Sequence, residues 1–259
     1  MKIAVLTANV PLYLPAFFDR FLERRARDVV GVFICRPVYK GQTAWTMLRR
    51  YSRTFGLWNA FRLTRRVASA KAKDILRIGR RKRRFHSVAS AVRYHGVPVF
   101  FPRDVNAPEF LDQLRRLGAD LVLSVSCPQI FGQELIALPT KGCLNIHGAD
   151  LPRYRGIMPS FWMLANQEKQ AAVTIFFVNT GIDTGDVVGR KVVPILPQDT
   201  LHSFVLRSKQ IACDLALEVL DQIETGRVQR TPLVGKGSYY GWPTHEAYRK
   251  FRSAGRRLW

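Results

Sequence analysis

The sequence predicts an α/β protein built on an open, mostly parallel, twisted sheet that is flanked by helices. Short apolar runs rich in β-branched residues recur along the chain, and amphipathic helical patterns separate many of them. The first run, 2–7, is followed by a helical pattern whose apolar face holds Phe17, Phe18 and Phe21, and then by a second run at 29–35. This β-α-β order is typical of parallel sheets with right-handed crossovers.

The later elements continue this alternation. Strands are predicted at 98–101, 120–126, 143–147, 173–178 and 191–195. Helices are predicted at 86–94, 108–117, 160–167 and 200–223. Thr200 stands where it can cap the long last helix, and Gly226 lies just beyond its end. We therefore expect a domain at 1–198, followed by a C-terminal helix and irregular extension at 199–259.

Composition and charge narrow the class of protein. Hydrophobic residues make up 47% and charged residues 23% of 259, which excludes wholesale disorder and a coiled coil. A formal net charge of +22 favours polyanionic partners such as nucleic acid, an anionic membrane or phosphorylated substrates. No run is apolar and long enough to span a bilayer, and no signal peptide is evident. We expect a cytoplasmic protein with reduced cysteines, and peripheral contact with the inner membrane face is an additional expectation.

Much of the positive charge is concentrated in one segment. Residues 40–84 contain fifteen Lys and Arg and one acid, Asp74. Aromatic residues such as Trp45, Trp58 and Phe61 are interleaved with the basic ones. We interpret the segment as a mostly helical insertion that binds a partner. An anionic membrane surface, RNA and a protein are the alternatives.

The segment with the clearest chemical content is 142–147. Asn145 and His147 are two residues apart at the end of a predicted strand, so their side chains point to the same face. Open α/β sheets bind ligands at the carboxyl ends of their strands. A shaped loop with two prolines and two glycines follows at 148–159. The pair therefore marks a candidate catalytic site.

A second loop, at 181–186, adds a carboxylate. Asp183 lies between Gly181 and Gly185 after another predicted strand, and it meets the imidazole of His147 if the two strands are close. The chain lacks GxSxG, HExxH and GxGxxG patterns. A serine hydrolase, a zinc enzyme and a dinucleotide-binding enzyme are therefore not expected.

With those three classes of enzyme not expected, the reaction that suits an amide, an imidazole and a carboxylate is group transfer without a covalent intermediate. A neutral amine would attack an acyl carbon while Asn145 and protonated His147 donate hydrogen bonds to the developing oxyanion. Such preorganised donors typically contribute about 3–4 kcal/mol each to transition-state stabilisation. Asp183 would orient the imidazole, favour its charged form and help to remove a proton from the amine.

These motifs together resemble the family of 10-formyltetrahydrofolate-dependent formyltransferases. The pattern is Asn145-x-His147, then Leu151-Pro152-x-x-Arg155-Gly156-x-x-Pro159, then Thr174, then Asp183-x-Gly185. The resemblance implies a parallel α/β fold, a catalytic trio at Asn145, His147 and Asp183, and 10-formyltetrahydrofolate as formyl donor without a metal.

The resemblance also implies binding residues. It places the folate pocket at Ser126, Cys127, Gln129, Ile130, Gly181 and Ile182. It places the acceptor near Arg153, Arg155 and Gly156, where the arginines either shape the loop or contact a phosphate.

Several acceptors are compatible with this resemblance. About 64 residues follow the last predicted strand, too few for the RNA-binding barrel of methionyl-tRNA formyltransferases, so we expect an amino sugar that is nucleotide-linked or lipid-linked. Charged initiator tRNA is the alternative acceptor, because of the positive charge. Hydrolysis of formyltetrahydrofolate and a non-enzymatic RNA- or membrane-binding module are further alternatives.

Overall fold

The structure is a computed structural model that describes residues 1–37, 43–78 and 83–259. The basic run at 80–82 and the start of the insertion at 40–42 lie outside the described residues. The strands in chain order are β1 (Ile3–Ala8), β2 (Val29–Cys35), β3 (Val99–Phe100), β4 (Leu121–Val125), β5 (Cys143–His147), β6 (Arg155–Gly156), β7 (Gln170–Phe177), β8 (Val187–Pro194) and β9 (Tyr239–Tyr240). The helices in chain order are α1 (Pro15–Arg25), α2 (Ala44–Phe55), α3 (Leu57–Ile75), α4 (Val88–Tyr94), α5 (Pro108–Leu117), α6 (Gln133–Ala137), α7 (Pro159–Ala165), α8 (Leu201–Glu224) and α9 (His245–Ser253).

Seven strands form the main sheet in the order β3-β2-β1-β4-β5-β7-β8. The pairs from β3 to β5 are parallel, whereas β5–β7 and β7–β8 are antiparallel. This confirms the predicted open, mostly parallel sheet. The two antiparallel pairs matter for the site because they decide at which edge of the sheet each loop emerges.

Helices cover both faces of the sheet. Ile3 and Val5 of β1 belong to one hydrophobic cluster with α1 and α8, whereas Ala4 and Leu6 belong to a second cluster with α5. Successive side chains of a strand point to opposite faces, so this division shows apolar packing on both sides. Burial on both faces explains why the first strands appear in the sequence as continuous apolar runs.

The insertion folds as two helices, α2 and α3, placed between β2 and α4. Phe55 at the end of α2 is buried against Phe161, Trp242 and Tyr248. The helical character expected for 40–84 is therefore present in its described residues. The end of α2 is anchored to the rest of the protein by aromatic packing.

The segment after 199 is more ordered than the sequence suggests. Helix α8 begins at the predicted cap, where Ser203 donates its backbone N–H to Thr200 Oγ1 at 3.1 Å, and it packs on β7 and β8. Beyond it, β9 pairs in parallel with β6, and α9 packs on α7. The extension expected to be irregular therefore contains a short strand and a helix. Within the described residues, no helix has the length and apolar character needed to cross a membrane.

Candidate active site

Strand β5 carries Asn145 and His147 on one face of the sheet. His147 is buried, and its Nε2 lies 2.8 Å from the carbonyl oxygen of Tyr154. A carbonyl oxygen can only accept, so Nε2 carries a proton and Nδ1 is the other ring nitrogen available to a partner. Asn145 is half-buried, and its side chain makes no hydrogen bond with the described residues. Its amide is therefore available to a ligand.

Asp183 reaches His147 by a route that the sequence did not indicate. Because β7 runs antiparallel to β5, Phe177 at its carboxyl end lies beside Leu144 and not beside His147. The loop after β7 returns across the sheet and places Asp183 Oδ2 3.7 Å from His147 Nδ1. Asp183 has a φ of +52°, a backbone conformation that is costly for a residue other than glycine.

The carboxylate of Asp183 is held by the loop after β5. The backbone N–H of Gly156 donates to Asp183 Oδ2 at 2.9 Å. Gly156 has a φ of +97°, and a Cβ at this position would lie 2.3 Å from the carbonyl oxygen of Tyr240. A side chain is therefore excluded there, and the close approach of β9 helps to position the N–H that faces Asp183.

Thr174 and Arg190 stabilise the start of the same loop. Thr174 is the register partner of His147, and its hydroxyl donates to the carbonyl oxygen of Ala149 at 2.7 Å. Arg190 Nη2 donates to the carbonyl oxygen of Leu151 at 2.7 Å. Both contacts come from the antiparallel strands β7 and β8. The geometry around His147 therefore depends on strands that follow it in the chain.

Two cavities meet at Asn145 and Asp183, and His147 lines the larger of them. The smaller has a volume of about 390 Å³ and the larger about 740 Å³, and Asn145 and Asp183 line both. Five of the six residues expected at the folate pocket line the smaller cavity: Cys127, Gln129, Ile130, Gly181 and Ile182. Ser126 lines the larger cavity instead.

The walls of the smaller cavity suit a flat heteroaromatic ring. Apolar side chains, including Phe176 and Val178, form much of the wall, and the polar groups of Asn145 and Asp183 are also part of it. Ligand sites of this kind combine apolar surface with a few oriented polar groups. The residues present therefore fit the pterin of a folate. No group of three or more His, Cys, Asp or Glu suited to a metal ion occurs among the described residues.

Gln129 braces this cavity with its side chain. Its Nε2 donates to the carbonyl oxygens of Arg36 and Arg103 at 2.6 and 3.0 Å, and its Oε1 accepts from the N–H of Val105 at 2.9 Å. The amide is thus occupied by three loop contacts. Cys127 lies beside Cys35, whose thiol donates a hydrogen bond that lowers the pKa of Cys127.

The larger cavity is mainly apolar and contains a half-buried lysine that sequence reasoning missed. Lys209 of α8 lines it, and its Nζ donates to Ser126 Oγ at 2.8 Å. Burial lowers the pKa of Lys209 to about 8. Lys209 shares the inward face of α8 with Val205 and Ala212 at i, i+4 and i+7 spacing. The sequence did contain a signal for this residue, because Lys209 stands on a helix face whose neighbouring positions are apolar.

The two arginines expected near the acceptor lie in the loop outside the two cavities. Arg153 is half-exposed and pairs with Glu168 at 3.3 Å, and neither Arg153 nor Arg155 lines either cavity. Arg155 Nε is buried and has no hydrogen-bond partner among the described residues. Gly156, the third expected residue, does line the larger cavity. The arginines thus belong to the loop that surrounds the site.

Helix α3 presents an apolar face to solvent. The exposed apolar side chains recur at helical spacing and are Leu57, Trp58, Phe61, Ala68, Ala72 and Ile75; exposed polar and basic residues of the same helix are Thr64, Arg65, Ser69, Lys71 and Lys73. Leu57, Trp58 and Ile75 are 80%, 68% and 79% exposed. Eight basic side chains of α2 and α3 have no carboxylate within ion-pair distance among the described residues: Arg49, Arg50, Arg53, Arg62, Arg65, Arg66, Lys71 and Lys73.

Sequence comparison relates this chain to one family. Residues 64–220, more than half of the chain, match the family described as formyl transferase. A methionyl-tRNA formyltransferase of Trichlorobacter lovleyi is 38% identical over 134 residues, which are 52% of this chain and 42% of the relative. That of Geobacter sulfurreducens is 37% identical over 143 residues, 55% of this chain and 45% of the relative. The match thus spans less than half of each curated relative.

Solved structures share the fold at low sequence identity. A sugar N-formyltransferase from a Shewanella species has a TM-score of 0.59 at 20% identity, covering 93% of this chain and 77% of that one. A phosphoribosylglycinamide formyltransferase from Streptococcus pneumoniae has a TM-score of 0.58 at 20% identity, covering 86% of this chain and 98% of that one. An N-formyltransferase from Helicobacter canadensis was solved with folinic acid and dTDP-3-aminofucose. It has a TM-score of 0.59 at 16% identity, covering 93% of this chain and 71% of that one.

Proposed function

Because the chain belongs to the formyl transferase family, we propose that it transfers a formyl group from 10-formyltetrahydrofolate to a primary amine. The observation that carries this proposal is the position of Asn145 and Asp183 at the junction of two cavities, with His147 3.7 Å from Asp183. The smaller cavity would hold the folate donor, and the larger cavity would hold the acceptor.

The side chains support each step of such a transfer. The amine nitrogen attacks the formyl carbon, a new C–N bond forms, and the bond from that carbon to N10 of the folate breaks. The Asn145 amide and His147 Nδ1–H stabilise the oxyanion, while His147 Nε2–H stays on the Tyr154 carbonyl. Asp183 takes a proton from the attacking amine, and this proton passes to N10 as the bond from N10 to the formyl carbon breaks and tetrahydrofolate leaves.

The acceptor that we propose is an amino sugar. Residues after α8 return to the site, where the N–H of Arg155 donates to the carbonyl oxygen of Ser238 at 2.9 Å and Trp242 lines both cavities. This compact arrangement supports a small acceptor. The alternative is charged initiator tRNA, the substrate in the names of the curated relatives.

The test is tetrahydrofolate release with and without amine acceptors. We expect Asn145→Ala, His147→Ala and Asp183→Ala each to lower acceptor-dependent release at least about 100-fold, because each removes a group that acts in the transition state. Asp186→Ala is the matched control, since Asp186 lies in the same loop but lines neither cavity. Near-normal turnover by the His147 variant contradicts the mechanism, and release that does not require an amine indicates a hydrolase.

We further propose that the insertion contacts an anionic membrane surface. The exposed face of α3 combines Leu57, Trp58 and Phe61 with unpaired basic side chains. Apolar side chains at the headgroup level and cations beside anionic lipid are the features of an interfacial helix. RNA would use the same cations but gives less reason for exposed leucine and isoleucine. The membrane alternative is therefore favoured over RNA.

A further inference from the structure

The larger cavity contains a cation without a carboxylate partner. Lys209 Nζ donates to Ser126 Oγ, and no carboxylate among the described residues lies within ion-pair distance of it. Burying an ammonium group without a counter-charge is costly, and the lowered pKa of Lys209 reflects that cost. Such an arrangement becomes favourable when a ligand supplies the anion.

Lys209 lies close to the reacting groups. Ser126 directly follows β4, whose last residue, Val125, pairs with Ile146 of β5, and Ser126, His147 and Lys209 all line the larger cavity. The ammonium group of Lys209 bonds to that serine. An anion held by Lys209 would therefore occupy the cavity that the His147 imidazole also lines.

The rest of the cavity is suited to hydrocarbon. Its walls include Leu14, Tyr51, Leu63, Val205 and Trp259, and its volume is about 740 Å³. Among the described residues that line it, Asp183 is the one carboxylate, and the N–H of Gly156 already occupies one of its oxygens. A nucleotide diphosphate would bring at least two charges and a polar base to walls that offer one lysine. Apolar surface binds chains and rings by removing them from water.

The insertion lies between this cavity and the exposed apolar face of α3. Met47 and Tyr51 of α2 and Leu63 of α3 form part of its wall, and Trp58 and Phe61 on the outer side of α3 are exposed. The same two helices thus separate the cavity from the surface at which lipid would be met.

We propose that the larger cavity binds an amphiphilic acceptor that carries a primary amine, one compact anionic group and an apolar chain, with Lys209 paired to the anion. Either a phosphate or a carboxylate can pair with the ammonium group of Lys209. The assignment of the amine as the formyl acceptor rests on the proposed function, whereas the binding of an anionic amphiphile does not.

The experiment measures binding without formyl transfer. Titrations below the critical micelle concentration use decyl phosphate, decanoate and neutral decyl glucoside. The readouts are calorimetry and intrinsic tryptophan fluorescence, to which Trp242 and Trp259 in the cavity wall contribute. We expect decyl phosphate or decanoate to bind at least about tenfold more tightly than decyl glucoside, because only the anions pair with Lys209. The difference between the two anions identifies the preferred group.

Lys209→Met is the decisive variant. It should remove the preference for the anionic probes while leaving the Kd for decyl glucoside unchanged, and Lys209→Arg should retain part of the preference. Lys169→Met, which removes an exposed lysine outside the cavity, is the control. Equal binding of charged and neutral probes to the unmodified protein overturns the proposal, as does no binding of any probe, or an equal loss of all three in Lys209→Met. None of these results depends on whether the protein transfers formyl groups.

Discussion

Lys209 has a stability cost as well as a proposed role. Its pKa falls from the ordinary value of 10.5 to about 8 because burial disfavours the ammonium form. Below pH 8 the group is protonated in both folded and unfolded chains, so the folded state carries the full cost. That cost amounts to about 3 kcal/mol at about 1.4 kcal/mol per pKa unit.

Lys209→Met should therefore stabilise the protein in the absence of ligand. Allowing for the lost hydrogen bond to Ser126, we expect the free energy of unfolding at pH 7 to rise by about 2 kcal/mol. The advantage should shrink as the pH rises from 8 to 10.5, because the native lysine then loses its proton. Tyr13, Tyr51, Cys127, His147 and Asp183 face the same cavity, so the comparison is made between the two proteins at each pH.

Denaturant unfolding of both proteins across that pH range provides the measurement. A variant less stable than the native protein at pH 7 would show that Lys209 contributes more through its contacts than it costs through burial.

At the scale of the element, α3 is amphipathic with its apolar face turned outward. Ala60 and Ala70 are buried on the inner side, while Leu57, Trp58 and Phe61 are exposed on the outer side, where the Trp58 and Phe61 rings stack at 5.6 Å. A helix at the surface of a globular protein normally places its apolar residues toward the core. These exposed apolar side chains are the observation on which the proposed membrane contact rests.

Replacing Trp58 and Phe61 together by serine should weaken binding to phosphatidylglycerol vesicles at least about tenfold, because two aromatic side chains no longer enter the interface. Binding should be weak to phosphatidylcholine vesicles and should fall with salt. Co-sedimentation measures both. The matched control replaces Val192 and Val234, which are 58% and 83% exposed elsewhere, by serine. Tight binding to RNA without binding to vesicles would contradict the membrane proposal.

At the scale of the whole molecule, Trp242 joins distant parts of the chain. Its Nε1 donates to Thr54 Oγ1 at 3.0 Å. The centre of its ring lies 6.3 Å from the centre of the Phe55 ring and 5.0 Å from the guanidinium carbon of Arg50. The residue also lines both cavities. The extension after α8 is thus tied to the insertion at the place where donor and acceptor are proposed to meet.

Trp242→Ala should lower the free energy of unfolding by about 3 kcal/mol, because it deletes a large packed side chain. It should also raise the KM for the folate donor, since one wall of the smaller cavity is lost. Thermal unfolding and initial rates measure the two effects. Trp45→Ala, at a site that is 72% exposed, is the control and should change neither. An unchanged KM in the Trp242 variant would place the donor outside the smaller cavity.

Local patterns in the sequence were sufficient to predict much of this architecture. The alternation of apolar runs and helical patterns predicts the mostly parallel sheet, because apolar residues recur at different intervals in strands and in helices. The two-residue spacing of Asn145 and His147 predicts that they share a face, because side chains alternate along a strand. Both inferences need only neighbouring residues.

Long-range packing decided the rest. The antiparallel direction of β7, the return of the loop that carries Asp183 to His147, and the pairing of β9 with β6 depend on contacts between segments far apart in the chain. The same holds for Lys209, because periodicity identifies the inward face of α8 but not the cavity that the face meets. Such long-range contacts produce no periodic pattern in the local sequence, since they arise from the order in which strands and helices pack.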